Sequence, residues 1–431
     1  MTDAPAVEQS AEERGDEQER PSFWRPAMHM ARHFVRSSRL ALLAGIVGVG
    51  CHAPPAARSQ QDISAPSAPP QSPASDATIR DSLKRVLDRA LADSAFPGAV
   101  AVVGTRGRVI GQYAVGRLDW AASPAPDDRT LWDLASLTKV VGLTSGIMQL
   151  VARSQISVDA PVQRYLPNWT GRNKDRVTIR HLLTHTSGLP AFKAYDEITH
   201  DPDSLAKLMF ATELDTLPSA RMVYSDIGAY MLGRVLEKVS GETLDGYLHA
   251  HVFEPAGMHE TMYKPPASLL PRIAPTEIDP RRGGLVRGKV HDERAYYLGG
   301  VSAHAGIFSD AHDLTRFAQM YLNNGTIDGR EILPPASIAQ FTVRQVADRA
   351  LGWQKPDGSN SAGHLMSPEA FGHTGFTGTS IWMDPTNDVF VILLSNRVNP
   401  TRANTKIGRV RVQLADAVLG ILQTAHRGSR R

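Results

Sequence analysis

Leu134-Ala135-Ser136-Leu137-Thr138-Lys139 runs directly into an apolar stretch, Val140 to Val151. On a helix, side chains three residues apart share a face. The spacing therefore predicts a hydroxyl, Ser136, beside an amine, Lys139. A serine hydroxyl is a weak nucleophile until a base takes its proton. A buried lysine with a lowered pKa is one such base. Serine and lysine are common helix residues, so the motif takes its meaning from the rest of the chain.

On the N-terminal side, Ile79, Leu83, Val86, Leu87 and Leu91 recur at helical spacing, predicting an amphipathic helix over 76–94. Pro97-Gly98 ends it. Ala99 to Gly104 and Val109 to Gly116 read as two strands of a hairpin around Thr105-Arg106-Gly107-Arg108. On the C-terminal side, the middle of the chain is mostly helical. A short helix is expected at His181 to His185. The clearest helix runs from Ser225 to Val239, with Gly241 just past its end, and another covers Asp313 to Asn323. Strands return at Ser380 to Asp384 and Val389 to Ser395, and a last helix spans about 405–423. Strands at both ends with helices between predict an α+β fold. One antiparallel sheet is assembled from both ends of the domain, flanked by the terminal helices, with an inserted, mostly helical region. The Ser136 helix falls where the two parts meet.

The chain has 431 residues, 42% hydrophobic and 21% charged, which is ordinary for a soluble globular protein. A net charge of +3 gives no argument for nucleic acid as a partner. The single cysteine, Cys51, cannot form an internal disulfide. Arg32, Arg36 and Arg39 precede the apolar run Leu40 to Val49, and Gly50-Cys51 closes it. That pattern predicts an export signal over 30–51. The run falls short of the roughly twenty residues that span a bilayer. It resembles a bacterial lipoprotein signal with Cys51 as the lipidated residue, except that Gly48 stands where a larger aliphatic is preferred. A lipid anchor at Cys51 would be the one contact with a membrane, and the protein would lie in the periplasm or cell envelope. Residues 1–29 open with a polar, acidic run that reads as disordered or as a misplaced start, with translation beginning at Met28 or Met30. Residues 52–75 are rich in Pro, Ala, Ser and Gln and read as a linker, so the folded domain is expected over 76–425.

Two further segments supply acyl-transfer chemistry. Tyr224-Ser225-Asp226 stands just before the long helix, with a phenol and a carboxylate two residues apart. His373-Thr374-Gly375-Phe376-Thr377-Gly378-Thr379 leads into the strand at Ser380. Glycines on an edge strand let a substrate backbone approach closely. N–H groups there and at Ser136 can form an oxyanion hole.

These three segments, in this order, resemble the serine β-lactamase and penicillin-recognising superfamily, in its class C-like branch. The branch pattern is S-x-x-K, then Y-x-N, then K/H-T-G. Thr184 to Leu189, Glu254 to Met258 and Leu393 to Arg397 also match, and the likeness covers about 79–424. The resemblance implies a β-lactamase/transpeptidase-like fold and an acyl-enzyme on Ser136. Lys139 and Tyr224 would share the proton traffic, with the choice of base left open. The oxyanion would lie between the N–H groups of Ser136 and Phe376. His373, Thr374 and Gly375 would orient the substrate. No cofactor is implied.

Two positions depart from the pattern. Asp226 replaces an asparagine, and a carboxylate beside Lys139 raises the lysine pKa. His373 replaces the lysine of true class C β-lactamases, and a neutral imidazole binds carboxylate less well than an ammonium does. Both argue against an efficient penicillin hydrolase. Ile273 to Glu277, His291-Asp292-Glu293, Leu298 to Gly306 and Asn396 to Arg402 resemble a subgroup containing exo-acting N-acetylmuramyl-L-alanine amidases. Within that likeness, Glu277, His291, Asp292 and His304 would line the substrate mouth, and the partner would be a peptidoglycan fragment. Among Glu277, His291, Asp292 and His304 no pair has the H-x-x-x-H spacing of a helical zinc site, so no metal is expected there. The alternatives are a DD-carboxypeptidase, a carboxylesterase or weak β-lactamase of the same fold, and a non-catalytic peptidoglycan sensor.

Overall fold

The structure, a computed structural model, describes residues 73–428. The expected disordered start and export signal, and nearly all of the expected linker, lie outside the described residues. The first helix, α1 (Pro73–Ala92), begins three residues earlier than its apolar period suggests. The hairpin follows as β1 (Gly98–Gly104) and β2 (Val109–Gly116).

Ser136 and Lys139 lie on a more irregular element than a plain α-helix. Ala135–Leu137 is a 3₁₀ turn, Lys139–Thr144 is a π-helical stretch, and only Ser145–Ala152 is regular α-helix, α2. The expected shared face survives because side chains at i and i+3 eclipse in a 3₁₀ turn. The wide π turn is held by side chains: Thr144 Oγ1 donates to Lys139 O at 2.7 Å and Ser145 Oγ to Val140 O at 3.2 Å. By length and hydropathy this segment could cross a membrane, but it is 83% buried and serves as the core helix.

Downstream, the short helix Ile179–Leu183 starts two residues before its expected place. Thr178 and His181 form a reciprocal cap that fixes its start. The long helix α3 (Asp226–Ser240) is capped by the Ser225 side chain and ends at Gly241, where φ is +76°. Helix α4 (Ala311–Leu322), strands β3 (Phe371–Thr374), β4 (Ser380–Asp384) and β5 (Val389–Ser395), and helix α5 (Ile407–Gly428) complete the frame.

The five strands form one antiparallel sheet in the order β3-β4-β5-β1-β2, so the first hairpin pairs with the last. Val100 faces Leu394 and Val102 faces Ile392 across the β1–β5 seam. Alternation along these strands splits them between two cores. Ala99, Ala101, Val103, Val391 and Leu393 bury against Leu83 and Leu87 of α1 and Leu414 and Val418 of α5. Val100, Val102, Ile392 and Leu394 bury against the helical region, including Leu137, Val140 and Phe317. Burial on both faces explains why these strands read as continuous apolar runs. β3 is left at the edge of the sheet, and it carries His373 and Thr374.

Candidate active site

Ser136 is placed by a strained residue and a buried carboxylate. Ala135 has a φ of +46°, a conformation that costs an alanine energy and that clusters at functional sites. Its N–H donates to Asp133 Oδ1 at 2.8 Å, while Asp133 Oδ2 accepts the His291 N–H at 2.6 Å. Burial pushes the Asp133 carboxyl above its ordinary range.

Lys139 Nζ lies 2.9 Å from Ser136 Oγ, 2.8 Å from Asp226 Oδ1 and 2.8 Å from the His304 carbonyl oxygen. An ammonium has three protons, and these three acceptors use them all. Burial draws the Lys139 pKa down, but the Asp226 charge and then Tyr224 outweigh it, and the net shift is upward. The group beside the nucleophile is therefore an ammonium, which donates to Ser136 Oγ and has no lone pair with which to take its proton.

Asp226 is the hub of a buried chain of charges. Its Oδ2 accepts from Arg294 Nη2 at 2.7 Å, and the same nitrogen reaches Asp292 Oδ2 at 3.0 Å. Asp292 Oδ1 meets His304 Nε2 at 2.8 Å, and His304 Nδ1 meets Ser302 Oγ at 2.7 Å. Burial alone would raise the Asp226 carboxyl. Lys139, His304 and Arg294 reverse this and hold it at about 2.

Tyr224 lines the same cavity as Ser136. Its ring centroid lies 5.0 Å from Lys139 Nζ and 5.4 Å from the Arg349 guanidinium carbon. Its hydroxyl is buried and has no hydrogen-bond partner among the described residues. His185 supports the ring at 4.5 Å, and its Nδ1 accepts the Ser225 N–H at 3.1 Å. The 184–189 stretch thus fixes the Tyr224 segment.

The edge strand closes the site. Thr377 Oγ1 donates to Asp133 O at 2.7 Å and Thr379 Oγ1 to Leu134 O at 3.1 Å, clamping the 375–379 turn onto the approach to Ser136. A Cβ on Gly375 would stand 2.1 Å from Thr379 Oγ1 and 2.4 Å from Leu134 O, so only glycine fits. His373 donates from Nδ1 to Thr374 O at 2.8 Å, and its Nε2 has no partner among the described residues. Burial, then Arg349 and Lys139, lower its pKa to about 3, so the imidazole is neutral.

Ser136, Tyr224 and Phe376 line two adjoining cavities. One, about 340 Å³, is bounded by His373, Thr374, Gly375 and three arginines, Arg349, Arg397 and Arg411. The other, about 430 Å³, holds Asp226, His291, Asp292 and His304. Glu277 lies outside this lining, which corrects its expected place at the mouth. It accepts from the Arg402 backbone at 2.9 Å and meets His291 Nε2 at 2.9 Å, and so serves to brace the wall. A larger cavity of about 530 Å³, lined in part by Tyr296 and Tyr297 of the short helix Glu293–Tyr297, includes none of Ser136, Lys139 and Tyr224.

Arg294, Arg349, Arg411 and Asp133 are absent from the sequence-derived set. Each is a common residue in an unremarkable local context. Only burial near the site marks them. Arg411 Nη2 donates to the Gly375 and Thr379 carbonyls at 2.7 and 2.8 Å, bracing the oxyanion turn from α5.

A serine, an ammonium and a phenol at the edge of an antiparallel sheet define a serine hydrolase of the penicillin-recognising type. The chain matches the Beta-lactamase family model over residues 83–415 and belongs to that family. A Salmonella gallinarum (strain 287/91 / NCTC 13346) protein named "Putative D-alanyl-D-alanine carboxypeptidase" is 32% identical over 310 residues, 64% of this chain and 72% of that relative. Two solved structures share the fold. EstCE1, described as a hydrolase with promiscuous acyltransferase activity, has a TM-score of 0.66 at 23% identity, covering 80% of this chain and 100% of its own. A penicillin-binding protein homologue from Caulobacter crescentus has a TM-score of 0.65 at 22% identity, covering 80% and 97%.

Proposed function

We propose that the protein hydrolyses an amide of a cell-wall-derived peptide, and that the leaving amine carries a carboxylate. The observation that carries this reading is the arginine-lined cavity beside Ser136. Arg397 and Arg411 have no carboxylate within ion-pair distance among the described residues, and Arg349 meets only Asp348, at 3.4 Å. Burial, then Arg397, lowers the Arg411 pKa to about 9, the mark of a positive charge without an anion. A carboxylate on the leaving group would supply the missing charge.

In this mechanism Tyr224, as its phenolate, takes the Ser136 proton as Oγ attacks the amide carbonyl. The Lys139 ammonium stabilises the negative charge on Tyr224 and Ser136. The oxyanion accepts from the N–H groups of Ser136 and Phe376. Phe376 N–H makes no other hydrogen bond among the described residues. Tyr224 then gives the proton to the leaving nitrogen, and the C–N bond breaks. Water attacks the acyl-enzyme with Tyr224 again as base, releasing the acid and restoring Ser136. His373, being neutral, acts as an uncharged orienting group.

Two bonds are candidates. The bond between N-acetylmuramic acid and L-alanine is the first; in a muramyl peptide the L-alanine carboxyl is itself in amide linkage, so the free carboxylate lies further along the leaving peptide. The D-alanyl-D-alanine bond is the second, favoured by the leaving D-alanine carboxylate and by the name of the Salmonella relative. The basic and apolar run before Cys51 supports export to the cell envelope, with Cys51 as a lipid anchor. A muramyl peptide, a D-Ala-D-Ala peptide and a nitrophenyl ester, assayed side by side, test the reading. Amide turnover that falls when the leaving group's carboxylate is amidated is expected. Ester turnover with no amide cleavage would overturn it.

A further inference from the structure

The cavity of about 530 Å³ takes no part in the chemistry above, since none of Ser136, Lys139 and Tyr224 lines it. Its volume falls within the roughly 300–1,000 Å³ of small-molecule sites. Buried Val290 and Phe308 give it an apolar lining. One wall is aromatic. Tyr296 and Tyr297 border it, and the His200 ring stacks on Tyr297 with centroids 3.9 Å apart and planes 5° from parallel. Its charge is of one sign. Lys264 and Lys289, both exposed, are the only lysine, arginine, aspartate or glutamate side chains in the lining. Neither meets a carboxylate within ion-pair distance or makes a side-chain hydrogen bond among the described residues. Lys289 Nζ lies 5.7 Å from the Tyr296 ring centroid, so this ammonium stands beside the aromatic wall. The Lys264 stem is laid against Gly300, where a Cβ would stand 3.0 Å from Lys264 Cγ.

A single exposed lysine needs no explanation. Two unpaired lysines at one apolar cavity, with no acid among its lining residues, give it a positive potential that low-dielectric walls strengthen. A cation is repelled. A neutral apolar ligand would cover the walls but take water from the ammoniums without pairing them. A small inorganic anion would leave the aromatic wall and the apolar lining open to water. An organic anion with a flat apolar body satisfies both, its body against the tyrosines and its acidic group on the ammoniums. We infer that this cavity is a second ligand site, for an organic anion with an aromatic or other flat apolar body. The ligand is not the group being cleaved, and the inference does not depend on which amide is the substrate.

The probe is anilinonaphthalenesulfonate, an anion with an aromatic body, titrated into the purified protein by fluorescence and by calorimetry. One site per chain is expected, with an affinity that falls as salt is raised. In K264Q/K289Q the Kd is expected to rise about tenfold, and K264R/K289R to retain binding. Both lysines are exposed and lie outside the catalytic machinery. The melting temperature and nitrophenyl ester turnover of K264Q/K289Q should therefore hold, which separates lost binding from lost fold. Acylation of Ser136 by a fluorophosphonate beforehand should leave the affinity unchanged, which separates this cavity from the arginine-lined one. Millimolar inorganic sulfate should fail to displace the probe, because it has no apolar body. Any of four results would overturn the site: no binding at millimolar probe, equal binding by K264Q/K289Q, loss of binding on acylation of Ser136, or sulfate competing as well as the probe binds.

Discussion

Asp226→Asn removes the charge on which the state of Lys139 depends. The Asp226 carboxyl is held at about 2 against an ordinary 3.8, because Lys139, His304 and Arg294 outweigh its burial. A lowered carboxyl contributes stability that is present above the ordinary value and is lost as pH falls through the folded value. The gap corresponds to about 2 kcal/mol at pH 7, of which about half is gone by pH 3. Asparagine keeps the shape and cannot titrate. Urea unfolding of both proteins across acidic to neutral pH should therefore give a stability deficit in the variant that is largest at neutral pH and shrinks toward pH 3. The same substitution leaves burial as the largest influence on Lys139, which lowers its pKa. A lysine limb should then enter the working range of the pH–rate profile for a nitrophenyl ester. A deficit that is equal at pH 7 and pH 3, with no new limb, would refute the argument that Asp226 is the ionised partner of Lys139.

Tyr224→Phe keeps the ring between Lys139, His185 and Arg349 and deletes the hydroxyl proposed as base. Turnover should fall by about 10² to 10⁴, with KM little changed, in steady-state ester assays. Arg411→Met removes one charge of the arginine cavity and one brace of the Gly375 turn. KM for a carboxylate-terminated peptide should rise about ten- to a hundredfold. The peptide's amidated form, compared in the same assay, should lose less. With its pKa at about 3, His373 is neutral at working pH, so His373→Asn should leave the shape of the pH–rate profile between pH 5 and 8 unchanged.

The frame of this fold is legible in the sequence because its elements are marked locally. The strands at 98–104 and 389–395 are unbroken apolar runs bounded by turn residues, and α3 has a serine cap and a closing glycine. The three motifs that meet at the site are also local, and each carries its own chemistry. The irregularity at Ser136 is not legible. The residues of Ala135–Thr144 suit an α-helix as well as a 3₁₀ turn followed by a π stretch. What selects the latter is long-range, including the clamp of Thr377 and Thr379 onto Asp133 and Leu134.

The charged shell was hidden for the same reason. Arg294 follows an Asp-Glu pair and Arg411 lies on an amphipathic helix, and by sequence alone both pass for solvated surface residues. Their meaning comes from partners 68 and 36 residues away, at Asp226 and Gly375. Asp226 itself could be read in advance as a raising influence on Lys139. The structure adds that Ser136, Asp226 and the His304 carbonyl all accept from the Lys139 ammonium, which is the ground for proposing Tyr224 as base.

The most direct test of this account is covalent. The purified protein is treated with a fluorophosphonate, and the adduct is mapped by peptide mass spectrometry. One adduct per chain is expected, on the peptide containing Ser136. It should be absent in Ser136→Ala and should form far more slowly in Tyr224→Phe. An adduct on another residue, or one that persists in Ser136→Ala, would contradict the account.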